Sequence, residues 1–193
     1  MLDFAAVRQK TARLADLARG LTQQDLAALS HEMIDTLLHE IAGCVDADIV
    51  FVPVDRDAND PYAADDMKNV GWTIGHIIAH TTASAEEGAF LACELARGVP
   101  NHGRSRSEVD WQALNTLAAC CARLEESRRM RVASLRAWPD QPNRTLSYEP
   151  YPGAGQRDCI TTFLGGMGHE DGHLAQLREA VRQARAARLG RAA

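Results

Sequence analysis

Between residues 160 and 181 the large apolar side chains fall at Ile160, Phe163, Leu164, Met167, Leu174, Leu177 and Val181. Those steps of three, four and seven lie on one stripe of a 3.6-residue helix, and a strand's period of two cannot collect them. The series begins near Gln156 and predicts a long amphipathic helix, which must bury its stripe against other helices. Three further stretches repeat the pattern. Leu26, Leu29, Met33, Ile34, Leu37, Leu38 and Ile41 follow a Thr22/Asp25 N-cap signal. A second helix is expected over residues 68–97, with Ile74, Ile77, Ile78, Leu91 and Leu95 inward and Gly98 and Pro100 as its stop. A third opens at Ser105 and Glu108, carries Leu114, Leu117, Cys121, Leu124, Val132 and Leu135, and ends near Trp138-Pro139. Phe4, Val7, Leu14, Leu17, Ala18 and Leu21, stopped by Gly20, add an N-terminal helix. Only 5% of residues are aromatic while Ala, Leu and Arg abound, which agrees with an all-α chain. The 193 residues have room for one substantial core, so residues 1–193 are expected to form a single domain.

Two connections interrupt the helices. In residues 44–68 a β-branched run, Ile49 to Val52, ends at Pro53 and is followed by Asp55, Asp57, Asp60, Pro61, Asp65 and Asp66. Residues 139–155 hold four prolines and two tyrosines. A net charge of -5 and a pI of about 5.8 speak against nucleic acid as a partner. No apolar run approaches the roughly 20 residues of a membrane span, and the first residues lack the pattern of a secretory signal. A cytoplasmic protein is expected, with no membrane partner. The five cysteines, Cys44, Cys93, Cys120, Cys121 and Cys159, form no Cys-x-x-Cys pair and fit a reduced compartment. Cys159 is singled out as a thiol close in sequence to the last helix. Arg178, Arg182, Arg185, Arg188 and Arg191 suit a solvated helix end, where positive charge complements the dipole.

Four of the seven histidines form two i, i+4 pairs, His76/His80 and His169/His173. At that spacing two helical imidazoles lie about 40° apart and about 6 Å along the axis, so both can reach one metal ion. His169-Glu170-Asp171-Gly172-His173 matches the His-Glu-x-x-His form of zinc proteases. It lacks a later ligand, however: no histidine follows position 173, and Glu179 is too close on the same helix. The third ligand must come from upstream. His80 is the best candidate, at the border of an apolar stripe with Ile77, Ala83, Ser84, Glu87 and Leu91. Gly165, Gly166, Gly168 and Gly172 are costly in a helix, at about 1 kcal/mol each relative to alanine. Open space around the imidazoles is the expected compensation. His31 and His39 fall away from their stripe and are expected to face solvent.

Trp72-Thr73, with a histidine eight residues after the tryptophan, resembles the second-helix signature of the DinB/YfiT-like metalloenzymes. His169-x-x-x-His173 followed by Leu174-x-Gln176 resembles that family's last-helix signature. The likeness spans most of residues 68–180 and is weaker before them. It implies a four-helix bundle, here with an additional N-terminal helix and two long connections. It also implies a metal site of His80, His169 and His173. Position 76 is often acidic in the family, and His76 leaves three roles open: a fourth ligand, a residue supporting the ligands from outside, or a surface side chain one turn back. Three neutral imidazoles suit one Zn, Ni or Fe ion with a position left for substrate. The resemblance implies transferase chemistry, in which the metal-held thiolate of a low-molecular-weight thiol attacks a small electrophilic substrate, and a homodimer. Two alternatives stand beside it. One is metal-assisted hydrolysis with Glu170 or Glu87 as base. The other is a metal-binding, stress-associated protein without turnover.

Overall fold

A computed structural model describes residues 1–60, 63–103 and 109–191, and among them every regular element is helical. In chain order these are α1 (Phe4–Arg8), α2 (Leu14–Leu17), α3 (Gln23–Ile41), α4 (Asp46–Ile49), α5 (Ile74–Ala96), a 3-10 turn (Trp111–Ala113), α6 (Leu117–Arg136) and α7 (Cys159–Arg191). The four long helices form the bundle. α5 packs on α6 and α7, α3 packs on the same two, and α3/α5 and α6/α7 therefore lie on the diagonals. No helix is long and apolar enough to cross a membrane.

The stripe on α7 is the centre of the core: Ile160, Phe163, Leu164, Met167, Leu174, Leu177 and Val181 are all buried. They meet Met33, Ile34, Leu37 and Ile41 of α3, Ile74, Ile77 and Ile78 of α5, and Leu124 and Leu135 of α6 in one cluster. At roughly 25 cal/mol per Å² of apolar area this burial is the main source of stability. Local signals fix the helix starts. Thr22 and Asp25 form the expected reciprocal cap on α3, with N to O distances of 2.8 and 3.2 Å. Thr73 and Thr116 cap α5 and α6 by accepting from the backbone N–H groups of His76 and Ala119.

Several expected boundaries move. The N-terminal helix is two short pieces, because Lys10 adopts φ +59° and turns the chain between them. Within the 44–68 connection the chain forms one short helix, α4, which ends at Ile49, and irregular chain follows. α5 starts at Ile74 rather than near Lys68, and α7 at Cys159 rather than Gln156. Ser105 and Glu108, expected to open the third long helix, lie outside the described residues, as do Pro61 and the side chain of Arg191. α6 itself begins only at Leu117.

The late arginines are more than a solvated end. Arg178 pairs with Glu40, Arg185 donates to the carbonyl of Ala42 at the end of α3, and Arg188 pairs with Asp48 of α4. Gln183 both accepts from and donates to the backbone of Val54, at 2.9 Å each way. These contacts hold the acidic connection against α7 and bring Asp55 near the histidines.

Candidate metal centre

α5 and α7 share the most extensive helix interface, and small residues allow it. A Cβ on Gly166 would stand 2.8 Å from the Ala85 Cα, and one on Gly88 would stand 3.2 Å from the Thr162 carbonyl oxygen. The α7 glycines therefore do not mainly clear space around the imidazoles. Gly166 permits close backbone approach, Gly168 receives the Phe4 ring, Gly165 receives Arg157, and Gly172 alone of the four has open space before its missing Cβ.

That approach brings His80 of α5 against His169 and His173 of α7. The Nε2 atoms of His80 and His169 are 2.8 Å apart. The ring centroids are separated by 4.8 Å (His80–His169), 5.2 Å (His80–His173) and 4.7 Å (His169–His173). One nitrogen from each lies within 4.8 Å of the other two. Nitrogens bound tetrahedrally at about 2.0–2.1 Å stand roughly 3.3 Å apart, so small side-chain adjustments would admit a metal ion. Among the described residues no other group of three His, Cys, Asp or Glu side chains is so arranged.

The orientation of His173 is fixed from behind. Its Nδ1 lies 2.7 Å from the Gln176 Oε1, so an Nδ1–H donates there and leaves Nε2 as the free base. The Gln176 amide in turn donates to Asp55 at 3.5 Å. Burial holds the His173 pKa below the ordinary histidine value and the nearby His80 adds to this, while the Gln176 hydrogen bond opposes both. The neutral, ligating form is favoured.

His76 stands apart from the three. Its ring is stacked between Trp72 (4.2 Å, 20°) and Trp111 (4.6 Å, 7°). Trp72 also stacks on His173 at 5.8 Å and meets His80 edge-on at 4.8 Å. His76 thus reaches the cluster through an indole. His31 and His39 are exposed, as expected.

Glu170 points elsewhere. It is fully buried, with its carboxylate held by both Arg131 terminal nitrogens at 2.7 and 3.2 Å. Burial raises its pKa and Arg131 opposes that rise. That carboxylate is taken up by Arg131 of α6 and is closed to solvent. The physical reason is the 100° step between consecutive helical residues: His169 on the α5 side forces Glu170 inward. Glu87 instead lines a cavity of about 450 Å³ shared with His169, Ser84, Tyr148 and Arg157. A second cavity of about 300 Å³ also has His169 in its wall. Cys159 is buried, donates to the Asn143 carbonyl at 3.4 Å, and is pushed up to about 11 by burial. It lies ten residues, about 15 Å along the helix, before His169, so it is a packed thiol and not a neighbour of the cluster.

Trp111, Asp55, Arg131 and Arg157 had no assigned part in the sequence reading. Arg131 left a visible trace: it falls on the stripe of Leu124, Ser127 and Leu135, where a lone cation needs a buried partner.

Residues 6–177 match the sequence model of the DinB superfamily, and the chain belongs to that family. Comparison with curated proteins and with solved structures returns no match.

Proposed function

We propose that this chain holds one divalent cation, Zn, Ni or Fe, on His80, His169 and His173 and uses it to transfer a low-molecular-weight thiol to a small electrophile. The observation that carries the reading is the convergence of three imidazoles from two helices beside two cavities, in a member of the DinB superfamily. The donor set fits: three neutral nitrogens, one of them oriented by Gln176, suit a borderline cation and leave room for a further ligand. Bound there, the cation would stabilise the thiolate at neutral pH and hold its sulfur in place. The protein's own part is positional. Gln176 fixes the His173 tautomer, the Trp72 indole covers His80 and His173 from one side, and the cavities at His169 leave the other side for substrate.

A hydrolytic reading rests on Glu87 alone, because it shares a cavity wall with His169. Elemental analysis of untagged wild type and His80→Ala, followed by electrophile consumption with and without glutathione or another small thiol, separates the readings. Thiol transfer predicts consumption only with metallated protein and thiol together. Turnover without thiol that is lost in Glu87→Gln would favour hydrolysis. Tight metal binding with neither activity would favour a protein without turnover. The homodimer implied by the family resemblance is checked by light scattering.

A further inference from the structure

We propose that Arg157 is a carboxylate-recognition residue, which binds the acid group of a small organic substrate whose other end lies at His169. The placement of Arg157 is specific. Its backbone forms an isolated antiparallel bridge with Tyr148, at 2.8 and 3.1 Å, in the connection that leads into α7. From there its side chain lies along the helix surface at Gly165. A Cβ at that position would stand 2.5 Å from the Arg157 Nη1 and 3.3 Å from Cζ, so a larger residue there would push the guanidinium off this position. The Tyr151 ring centroid is 5.9 Å from Cζ. Gly165 and His169 are four residues apart, so the guanidinium sits about one turn, some 6 Å along the axis, from the imidazole.

Arg157 and His169 line both cavities, of about 450 and 300 Å³. The smaller one is otherwise mostly apolar, with Phe4, Val7, Leu14 and Leu164 in its wall. Its other arginine, Arg8, is already neutralised by Asp171 at 2.6 Å. Arg157 is different. Among the described residues no side chain accepts from it, and its Nε is buried without a partner. Arg128, Arg131 and Arg144 all have carboxylate acceptors. The Nε–H has lost water without replacement while the rest of the guanidinium stays in the cavity wall, and a carboxylate is the acceptor that such a fork takes best. With Glu87 and Glu149 also in the wall of the larger cavity, a singly charged carboxylate is repelled less than a doubly charged phosphate. The apolar wall suits an organic body behind that acid group.

This inference deepens the proposed function by naming a substrate class, but its first test needs no metal. Binding of 3-phenylpropionate, its methyl ester and phenyl phosphate to the full chain as purified is measured by calorimetry and by the ¹⁵N–¹H signal of the Arg157 Nε. The acid is expected to bind and to shift that signal. Arg157→Met is expected to weaken it by about tenfold or more, with Arg157→Lys in between. Gly165→Ala, which keeps the charge but displaces it, serves if Arg157→Met fails to fold and should weaken the acid likewise. Equal affinity for acid and ester, no binding of the acid, or acid binding unchanged in Arg157→Met or Gly165→Ala overturns the proposal. Tighter binding of phenyl phosphate overturns its choice of carboxylate. A second arm uses Co(II)-loaded protein with 3-mercaptopropionate or its methyl ester, read by sulfur-to-cobalt absorption. Preference for the acid, lost in Arg157→Met, supports one molecule spanning both groups. Protein that takes up no Co(II) but passes the first arm refutes the metal reading and leaves Arg157 standing.

Discussion

His169 and Glu170 are neighbours in the chain, yet they serve opposite ends of a physical problem. On the α5/α7 interface, His169 joins two other half-buried imidazoles whose nitrogens crowd together beside two cavities. Across the bundle's diagonal, Glu170 and Arg131 are both fully buried and satisfy one another. A second pair, Glu86 with Arg123, links α5 to α6. The polar groups of the first region are imidazoles whose nitrogens converge, an arrangement that suits a cation. Those of the second are opposite charges that complete themselves. The difference teaches that a polar residue on α7 is not a site residue by virtue of its type. What separates the two is whether the groups converge on one point or pair as opposite charges.

The largest effect should come from breaking the self-sufficient region. Glu170→Gln or Arg131→Met leaves one buried group uncompensated, and denaturant unfolding should show a loss of about 3–5 kcal/mol. Replacing both, as Glu170→Leu with Arg131→Met, should recover most of that loss; a double variant as unstable as either single one would mean the pair is not the cause. His80→Ala should behave in the opposite manner. The unfolding midpoint of metal-free protein should move little, while metal affinity should fall by more than about 100-fold, measured by competition with a chelator. Retained affinity would sink the three-imidazole reading.

Gln176→Leu sharpens the contrast one step further out. It removes the acceptor of the His173 Nδ1–H and should reduce metal affinity by about 10–100-fold without altering the fold. The smallest effect belongs to neither region and calibrates both. Asp158 accepts from the Thr161 backbone N–H (2.9 Å) and hydroxyl (2.8 Å) and from Arg144 (2.7 Å) at the start of α7. Burial pushes its pKa up, but those bonds outweigh it and hold the carboxyl below its usual value. A depressed folded-state pKa gives stability that is present above the unfolded value of about 3.9 and is lost as pH falls through the folded one. Asp158→Ala should therefore cost about 1 kcal/mol near neutral pH, and the gap to wild type should close in acid. A gap that stays constant down to pH 2 would contradict this assignment.

Periodicity and capping chemistry carried most of the architecture. The stripe from Ile160 to Val181 is buried as spaced, and the Thr22/Asp25 signal caps α3. The i, i+4 histidines needed only helical geometry to be paired, since 3.6 residues per turn decides which neighbours share a face. The breaks were harder to read. Nothing in the N-terminal stripe announces a positive φ at Lys10, and the run from Ile49 to Val52 has strand-like residues but no partner strand.

What the sequence by itself determined is whatever depends on residues within a few turns of one another: helix type, caps, stripes and the pairing of His169 with His173. Only the tertiary structure decided which distant groups meet. It placed His80 against that pair through the close approach at Gly88 and Gly166, and it drew Asp55 to Gln176. It also gave Glu170 to Arg131 and left Arg157 with no side-chain acceptor among the described residues. The physical reason is that a helix fixes angle and rise for its own residues, whereas charge partnership and burial depend on which other helix packs there.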